Sequence, residues 1–343
     1  MAISLKSLKP TTVSRDLKGK FVMIYGDAKI GKTTLAVQFP RNLLLAVEHG
    51  YNVIEGIYAV DVPTWAEFKK YVKQLQDDDV KSMFDTVTID TVGLLYDRCE
   101  SYVCDREGVE KLSDIPYGAG YKMLDQEFEN TVRKITQIMD ADGRISYGLC
   151  LIGHARRRVE TDGQTSVTHI TPDMNDRCAK IVNRMVDITA YIGMENGTRY
   201  IYPRQLEIQE GSQTIDIYAG SHFANLNDKI ELSYDALVNA IADAMMTDAT
   251  GKEIKLSDAP IQVVQEEKLD FNEIKMSIGK LAKKLNTIDQ ENEESVHMPA
   301  YKKIVEQYLG KGRLVKDCDE NQVEHLSLIL EDLQAYVAAN NIK

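Results

Sequence analysis

The stretch that decides the fold is Gly26-Asp27-Ala28-Lys29-Ile30-Gly31-Lys32-Thr33-Thr34, a complete phosphate-loop pattern of the form GxxxxGK[ST]. The apolar run Phe21 to Tyr25 before it and the segment Thr34 to Phe39 after it predict a buried strand, a tight turn and a helix. The glycines let successive N–H groups face a phosphate chain, and the helix start adds unpaired N–H groups and a positive dipole end. We therefore expect the whole stretch to bind ATP, with Lys32 on the β and γ phosphates and the Thr33 hydroxyl on Mg²⁺.

The composition is that of an ordinary globular protein. With 343 residues, 43% of them hydrophobic and 27% charged, the chain can form one large core and a second small unit. Met1 to Lys20 lacks the apolar core of a signal peptide and no run is long enough to span a bilayer, so a cytoplasmic protein without a membrane partner is predicted. The five cysteines show no CxxC spacing, which argues against a zinc site or a disulfide framework. The net charge of −12 is compatible with nucleic-acid binding only where basic residues cluster locally.

Two predicted strands each end in a carboxylate. The run Asn42 to Val47 leads into Glu48, and the run Thr86 to Ile89 leads into Asp90. Because open parallel sheets bind ligands at the carboxyl ends of their strands, both side chains are expected beside the phosphate loop. Asp90 is then predicted to hold Mg²⁺ through water or the loop hydroxyl. Glu48 either activates the water that attacks the γ phosphate or caps the next turn, and its position alone favours neither.

The sharpest basic cluster follows a further predicted strand, Tyr147 to Gly153. His154 ends this strand, and Arg156-Arg157-Arg158 come directly after it. Their position beside the nucleotide site favours a histidine that senses the γ phosphate and arginines that contact nucleic acid, over a structural histidine and a solvated face. The stretch that follows, Val159 to Arg177, is polar without a sustained period and is predicted to be a loop.

A second candidate contact segment joins the helices predicted at Val92 to Cys104 and Tyr121 to Met139. It contains Tyr117 among glycines, and Lys122 follows at the start of the second helix. Such a segment suits stacking on bases and contact with phosphates. An ordinary connecting loop with its tyrosines packed down fits the composition equally well.

Four regions are predicted along the chain: a basic N-terminal segment 1–18, an α/β core 19–246 with a largely parallel sheet flanked by helices, a polar linker 247–270 and a small helical C-terminal domain 271–343. The first segment is expected to be a solvated terminus rather than a polymerisation arm or a DNA contact. The tail can dock on the core or recruit a partner. The remaining elements are predicted as helices Pro63 to Leu75, Lys180 to Val186, Ser233 to Met246, Phe271 to Leu285, Pro299 to Leu309 and Asp319 to Ala338, and as strands Ile188 to Met194, Arg199 to Tyr202, Leu206 to Gln209 and Thr214 to Tyr218.

The order of these parts resembles the core of RecA-type recombinases. The phosphate loop is followed by Ala46-Val47-Glu48-His49, by Thr88-Ile89-Asp90-Thr91, and by Leu151-Ile152-Gly153-His154 with its basic continuation. The segments Ile115-Pro116-Tyr117-Gly118-Ala119-Gly120-Tyr121 and Tyr218-Ala219-Gly220-Ser221-His222-Phe223 are similar to phage nucleotide-binding proteins with a RecA-like core that act in single-strand annealing. The resemblance covers residues 19–246 and not the tail.

This resemblance implies roles for particular residues. Glu48 is the catalytic carboxylate, Asp90 the magnesium residue and His154 the γ-phosphate sensor, while loops at Glu107 to Gly120 and Arg156 to Lys180 bind single-stranded DNA. It also implies a ring or filament of identical subunits, in which Arg199 and Arg204 are the nearest candidates for a side chain that reaches the neighbouring subunit's γ phosphate. Two departures stand out: the second loop lacks a glycine-rich stretch, and only a short basic segment precedes the core.

The expected function is that of an ATPase stimulated by DNA, which binds single-stranded DNA and promotes annealing or recombination in the host cytoplasm of a phage. A single-strand binding protein is a possible partner of the tail. One alternative is a nucleotide-gated interaction or assembly protein that does not bind DNA. The other is a helicase or packaging motor, for which the sequence offers no accessory domain.

Overall fold

The structure, a computed structural model, describes residues 13–15, 17–141, 143–162, 165–203, 205–209, 215–218, 226–246, 253–257, 270–291 and 296–342. They belong to two compact units, a larger one within Pro10–Val264 and a smaller one within Gln265–Lys343.

The larger unit contains a central sheet with helices on its faces. Its strands are β1 Val13–Ser14, β2 Phe21–Gly26, β3 Asn42–Ala46, β4 Tyr58–Asp61, β5 Thr86–Asp90, β6 Gly148–Asp162, β7 Thr165–Asp173, β8 Ile188–Glu195, β9 Thr198–Tyr202, β10 Gln205–Gln209, β11 Ile215–Tyr218, β12 Ile230–Glu231 and β13 Leu256–Ser257. Its helices are α1 Lys32–Ala36, α2 Trp65–Gln74, α3 Asp78–Met83, α4 Val92–Glu107, α5 Ala119–Thr136, α6 Asp176–Met185 and α7 Tyr234–Met245.

The sheet is largely parallel at its centre, in the order β4-β3-β5-β6-β2-β8, with β9 and then β12 added antiparallel at one edge. Alternate residues of β2 point to opposite faces, so Met23 and Tyr25 pack in one apolar cluster while Val22 and Ile24 pack in another. Burial on both faces is the mark of a parallel sheet covered by helices. The predicted α/β class is confirmed.

The prediction of a loop from Val159 to Arg177 is wrong. Beyond the core, β6 continues through residues 154–162 and pairs antiparallel with β7, which in turn pairs with β10. We call residues 154–162 together with β7 the β6–β7 ribbon. Arg157, Arg158 and Val159 are exposed in succession, so this part of β6 shows no alternation of buried apolar and exposed polar residues. Helix α6 also begins earlier than predicted, at Asp176, because the Asn175 side chain caps it by accepting from the Arg177 N–H.

Two expectations near the ends of the core need correction. Val13–Ser14 pairs parallel with Leu256–Ser257, so parts of the expected N-terminal segment and of the expected linker belong to the larger unit. Lys20 is buried and donates to the Ser14 carbonyl at 2.7 Å, which gives one of the basic residues a structural role.

Helix α1 ends at Ala36, short of the predicted Phe39.

The smaller unit contains helices, as predicted: α8 Phe271–Glu291, α9 His297–Leu309 and α10 Val323–Ala339. They pack around an apolar cluster that includes Ile278, Leu285 and Leu326. The buried Asp289 carboxylate accepts from the N–H groups of Val296, His297 and Met298 and so caps α9. No helix in the described part of the chain is long and apolar enough to cross a bilayer.

Candidate nucleotide site

The phosphate loop connects the end of β2 to the start of α1 with the backbone that its pattern predicts. Gly31 has a φ of +112°, which side chains rarely tolerate. A Cβ on Gly26 would lie 2.8 Å from the Ile192 carbonyl of the neighbouring strand β8, so this position also requires glycine. Lys29, at a φ of 63°, adds a second left-handed turn. Thr34 follows within α1, while Ala28 and Ile30 complete the loop.

Lys32 folds back over this loop. Its Nζ donates to the Gly26 carbonyl at 3.1 Å and to the Asp27 carbonyl at 2.9 Å. Burial lowers the pKa of Lys32, and the carboxylates of Asp90, Glu48 and Asp27 only partly oppose this effect. The ammonium is thus held by neutral carbonyls in a site that lowers its basicity, and bound phosphate would supply the anion that stabilises it.

Thr33 and Asp90 meet at the carboxyl ends of β2 and β5. The Thr33 hydroxyl donates to Asp90 Oδ2 at 2.7 Å, and Asp90 is buried. Burial raises the pKa of Asp90, and the hydrogen bond from Thr33 works in the opposite direction. A hydroxyl and a carboxylate are hard oxygen donors of the kind that hold Mg²⁺ together with water and phosphate oxygens, so these two residues fit the predicted ion.

Glu48 is brought beside Asp90 by the backbone. The N–H groups of Val47 and Glu48 both donate to the Asp90 carbonyl, at 2.6 and 3.0 Å, which fixes the end of β3 to the end of β5. The Glu48 carboxylate oxygens lie 3.3 and 3.2 Å from His154 Nε2. The described contacts of this carboxylate are with a histidine of the site and not with a backbone N–H, which favours the catalytic interpretation over the turn cap.

His154 lies between the positive and the negative residue of the site. Its Nδ1 is 3.5 Å from Lys32 Nζ, and its Nε2 faces Glu48. Since an ammonium can only donate, Nδ1 is the acceptor and Nε2 carries the proton that is donated to Glu48. The two contacts therefore fix the orientation of the ring, and the imidazole orients the Glu48 carboxylate.

The arginines after His154 are all engaged by carboxylates. Arg157 donates from both terminal nitrogens to Asp27, at 3.0 and 2.8 Å. Arg156 and Arg158 both donate to Asp176 at the start of α6. These pairs are at the surface, where ion pairs contribute little to stability, so a polyanion can compete for the arginines. Asp27 and Asp176 were not predicted as their partners.

Tyr117 stands out from the second candidate segment. It lies in a 3₁₀ turn, Pro116–Gly118, has a left-handed backbone with φ 59° and ψ 20°, and is fully exposed. Lys122 is exposed nearby on α5. A tyrosine held in a rarely populated conformation with its whole ring in solvent is not the packed loop that composition also allowed.

Helix α6 joins the two candidate segments. The Arg177 guanidinium lies over the Tyr121 ring at 4.8 Å and donates to Asp125 at 3.0 Å, while the adjacent Asp176 binds the ribbon arginines. We call Tyr117, Tyr121, Lys122, Arg156, Arg158 and Arg177 the ribbon surface. Sequence reasoning overlooked Arg177, although Asn175 before it was a readable helix cap.

Arg199 is placed beside the phosphate loop of its own chain. Arg199 lies on strand β9, and its Nη1 is 3.5 Å from the point where a Cβ added to Gly31 would lie. Whether it also reaches a neighbouring subunit stays a prediction. Arg204 and most of the segment Tyr218 to Phe223 lie outside the described residues.

Comparisons with known proteins show the family of this chain. The AAA domain model AAA_24 matches residues 18–215, which is more than half of the chain. The SPbeta prophage-derived uncharacterized protein YorG of Bacillus subtilis (strain 168) is 28% identical over 347 residues, covering 98% of this chain and 100% of YorG. The flagellar accessory protein FlaH from Methanocaldococcus jannaschii is similar with a TM-score of 0.29 and 10% identity over 62% of this chain and 84% of FlaH, too weak a likeness to support a conclusion. On the family match, the chain belongs to the AAA domain family of P-loop ATPases.

Proposed function

We propose that the protein hydrolyses ATP with Mg²⁺ and that the bound nucleotide controls its affinity for single-stranded DNA. The first part of the proposal rests on two sets of contacts. His154 contacts both Lys32 and Glu48, and beside them the Thr33 hydroxyl donates to Asp90. These side chains meet at the same edge of the sheet, which supports roles as a cation for the phosphates, a metal-binding pair and a carboxylate base.

The residues have distinct tasks in this reaction. Lys32 exchanges the carbonyls of Gly26 and Asp27 for the β and γ phosphates, and the backbone N–H groups of the loop hold the rest of the chain of phosphates. Mg²⁺, held by Thr33 and Asp90, would neutralise charge on the phosphate oxygens.

Glu48 is the general base. It takes a proton from water as the water oxygen bonds to the γ phosphorus and the bond to the ADP oxygen breaks, leaving ADP and phosphate. His154 keeps the Glu48 carboxylate directed toward the site through its Nε2 proton.

The second part of the proposal rests on the ribbon surface. It combines exposed aromatic rings with cations, which is how proteins bind single strands without reading their sequence. Arg156 and Arg158 lie on the same strand as His154, so β6 connects them to the nucleotide site. Together with the prophage origin of YorG, this supports a role in annealing or recombination in phage DNA metabolism. Assembly into a ring or filament, and a partner such as a single-strand binding protein for the C-terminal unit, belong to the same proposal.

One observation favours the rival function, a nucleotide-gated interaction protein that does not bind DNA. The three arginines of the cluster already have aspartate partners, with Arg156 and Arg158 sharing Asp176, so DNA would have to displace a carboxylate to reach any of them. Binding to DNA distinguishes the two.

The test is the affinity of the purified protein for a labelled single-stranded oligonucleotide, measured by fluorescence anisotropy. Tyr117→Ala should weaken binding roughly tenfold, since base stacking is worth about 1–3 kcal/mol. Tyr58→Ala, which removes a tyrosine that is also exposed but lies on β4, should change it little. Lack of binding by the parent protein would favour the interaction protein, whereas equal affinities of the parent and Tyr117→Ala would overturn the role of Tyr117.

A further inference from the structure

The phosphate loop itself carries a negatively charged side chain, although its expected ligand is also negatively charged. Asp27 follows Gly26, and its carboxylate is close enough to the Lys32 ammonium to interact with it electrostatically. An unpaired carboxylate here would repel a polyphosphate and compete with it for Lys32. The pattern GxxxxGK[ST] allows any residue at this position. An aspartate here therefore needs a partner that offsets its negative charge.

That partner is Arg157. Both terminal nitrogens of its guanidinium reach the two oxygens of Asp27, a bidentate geometry that neutralises the carboxylate and fixes its orientation. The hydrogen bond from Arg157 holds the pKa of Asp27 below its usual range, against the opposing effect of burial. Asp27 therefore stays ionised and paired with Arg157.

The sheet explains why Arg157 can do this. Gly26 of β2 is paired with His154 of β6, so β6 runs on past the end of β2 and carries Arg157 alongside the loop. Its neighbours Arg156 and Arg158 turn instead to Asp176 on α6. One strand thus supplies one arginine to the nucleotide site and two to the ribbon surface.

We propose that Arg157 is a positioning residue of the nucleotide site, which neutralises Asp27 so that Lys32 remains available to phosphate, and that it is not a DNA contact. This inference rests on the proposed binding of ATP. The pair Asp27 and Arg157 is then, with the contact between Lys32 and His154, a direct link between the phosphate loop and the β6–β7 ribbon.

The test is a double-mutant cycle on ATP affinity, measured at equilibrium with a fluorescent ATP analogue and Mg²⁺. Arg157→Ala should weaken binding roughly tenfold, Asp27→Asn should change it little, and the double variant should bind like Asp27→Asn, a coupling within the range found for contacting pairs. Arg157→Lys should retain part of the affinity because it keeps the charge. The loss in Arg157→Ala should shrink at high salt.

The matched control is the cycle of Arg184→Ala and Glu129→Gln. This ion pair joins α6 and α5 with an Nη2 to Oε2 distance of 3.1 Å, its arginine is as exposed as Arg157, and its removal should leave ATP affinity unchanged. Urea midpoints of all variants show whether a loss of affinity is a loss of fold.

The outcomes separate the inference from the function on which it rests. If the parent binds ATP and Lys32→Ala binds it more weakly, but Arg157→Ala binds as tightly as the parent or the losses simply add, only the role of Arg157 is overturned. If the parent does not bind ATP, the proposed function and this inference both fall.

Discussion

The nucleotide site and the ribbon surface hold their charges in different ways. In the first, Lys32 and Asp90 are buried. Lys32 donates to a backbone carbonyl, and Asp90 accepts from the Thr33 hydroxyl. In the second, Arg156, Arg158 and Arg177 are paired with aspartates in solvent. Buried charges that lack strong partners are poised for a ligand, whereas exposed pairs can open at low cost, so the two regions should respond very differently to substitution.

The largest effect is expected at Glu48. Because a general base acts mainly in the transition state, Glu48→Gln should lower ATP turnover by roughly 10² or more while ATP still binds. Steady-state turnover and equilibrium ATP binding, measured on the same preparation, check this. An equal loss of both would make Glu48 a structural residue.

Lys32 comes next and tests binding instead of turnover. Lys32→Ala should weaken ATP binding by roughly 10- to 100-fold, as expected for the loss of a hydrogen bond to a charged group. Lys70→Ala, which removes an exposed lysine on α2, is the control. Unchanged ATP affinity in folded Lys32→Ala would rule out the phosphate-loop site.

At the ribbon surface the effect should appear as a salt dependence. Replacing both Arg156 and Arg158 by alanine should flatten the slope of log affinity for single strands against log salt by about 1.4, since each lost contact removes roughly 0.7. Arg157→Ala should leave this slope unchanged when no nucleotide is present. If Arg157→Ala flattens the slope as well, the division of labour along β6 is wrong.

The smallest effect concerns stability. Burial raises the pKa of Asp90, so the folded protein holds that proton more tightly than the unfolded chain, and stability is lost as pH rises through the folded pKa. Without nucleotide, Asp90→Asn should therefore be slightly more stable than the parent to urea near neutral pH, and the difference should vanish in acid. A variant less stable than the parent at neutral pH would contradict this.

The same contrast explains what the sequence could predict. The nucleotide site depends on local spacing and on strand ends that a parallel sheet brings together, so Lys32, Thr33, Glu48, Asp90 and His154 were predicted at one edge, where the structure has them. The ribbon was missed because its described residues show no regular alternation: Arg157, Arg158 and Val159 are exposed in succession, whereas Ile170 is buried. The partnership of Asp27 with Arg157 joins residues far apart in the chain, and nothing at either position indicates the other.

The most direct test of communication between the two regions is the affinity of Glu48→Gln for a single-stranded oligonucleotide, with and without ATP and Mg²⁺. This variant should keep ATP bound and unhydrolysed. We expect binding to be tighter with ATP by at least about fivefold, the lower end of typical coupling between sites. The same dissociation constant in both conditions would show that the nucleotide site does not control the ribbon surface.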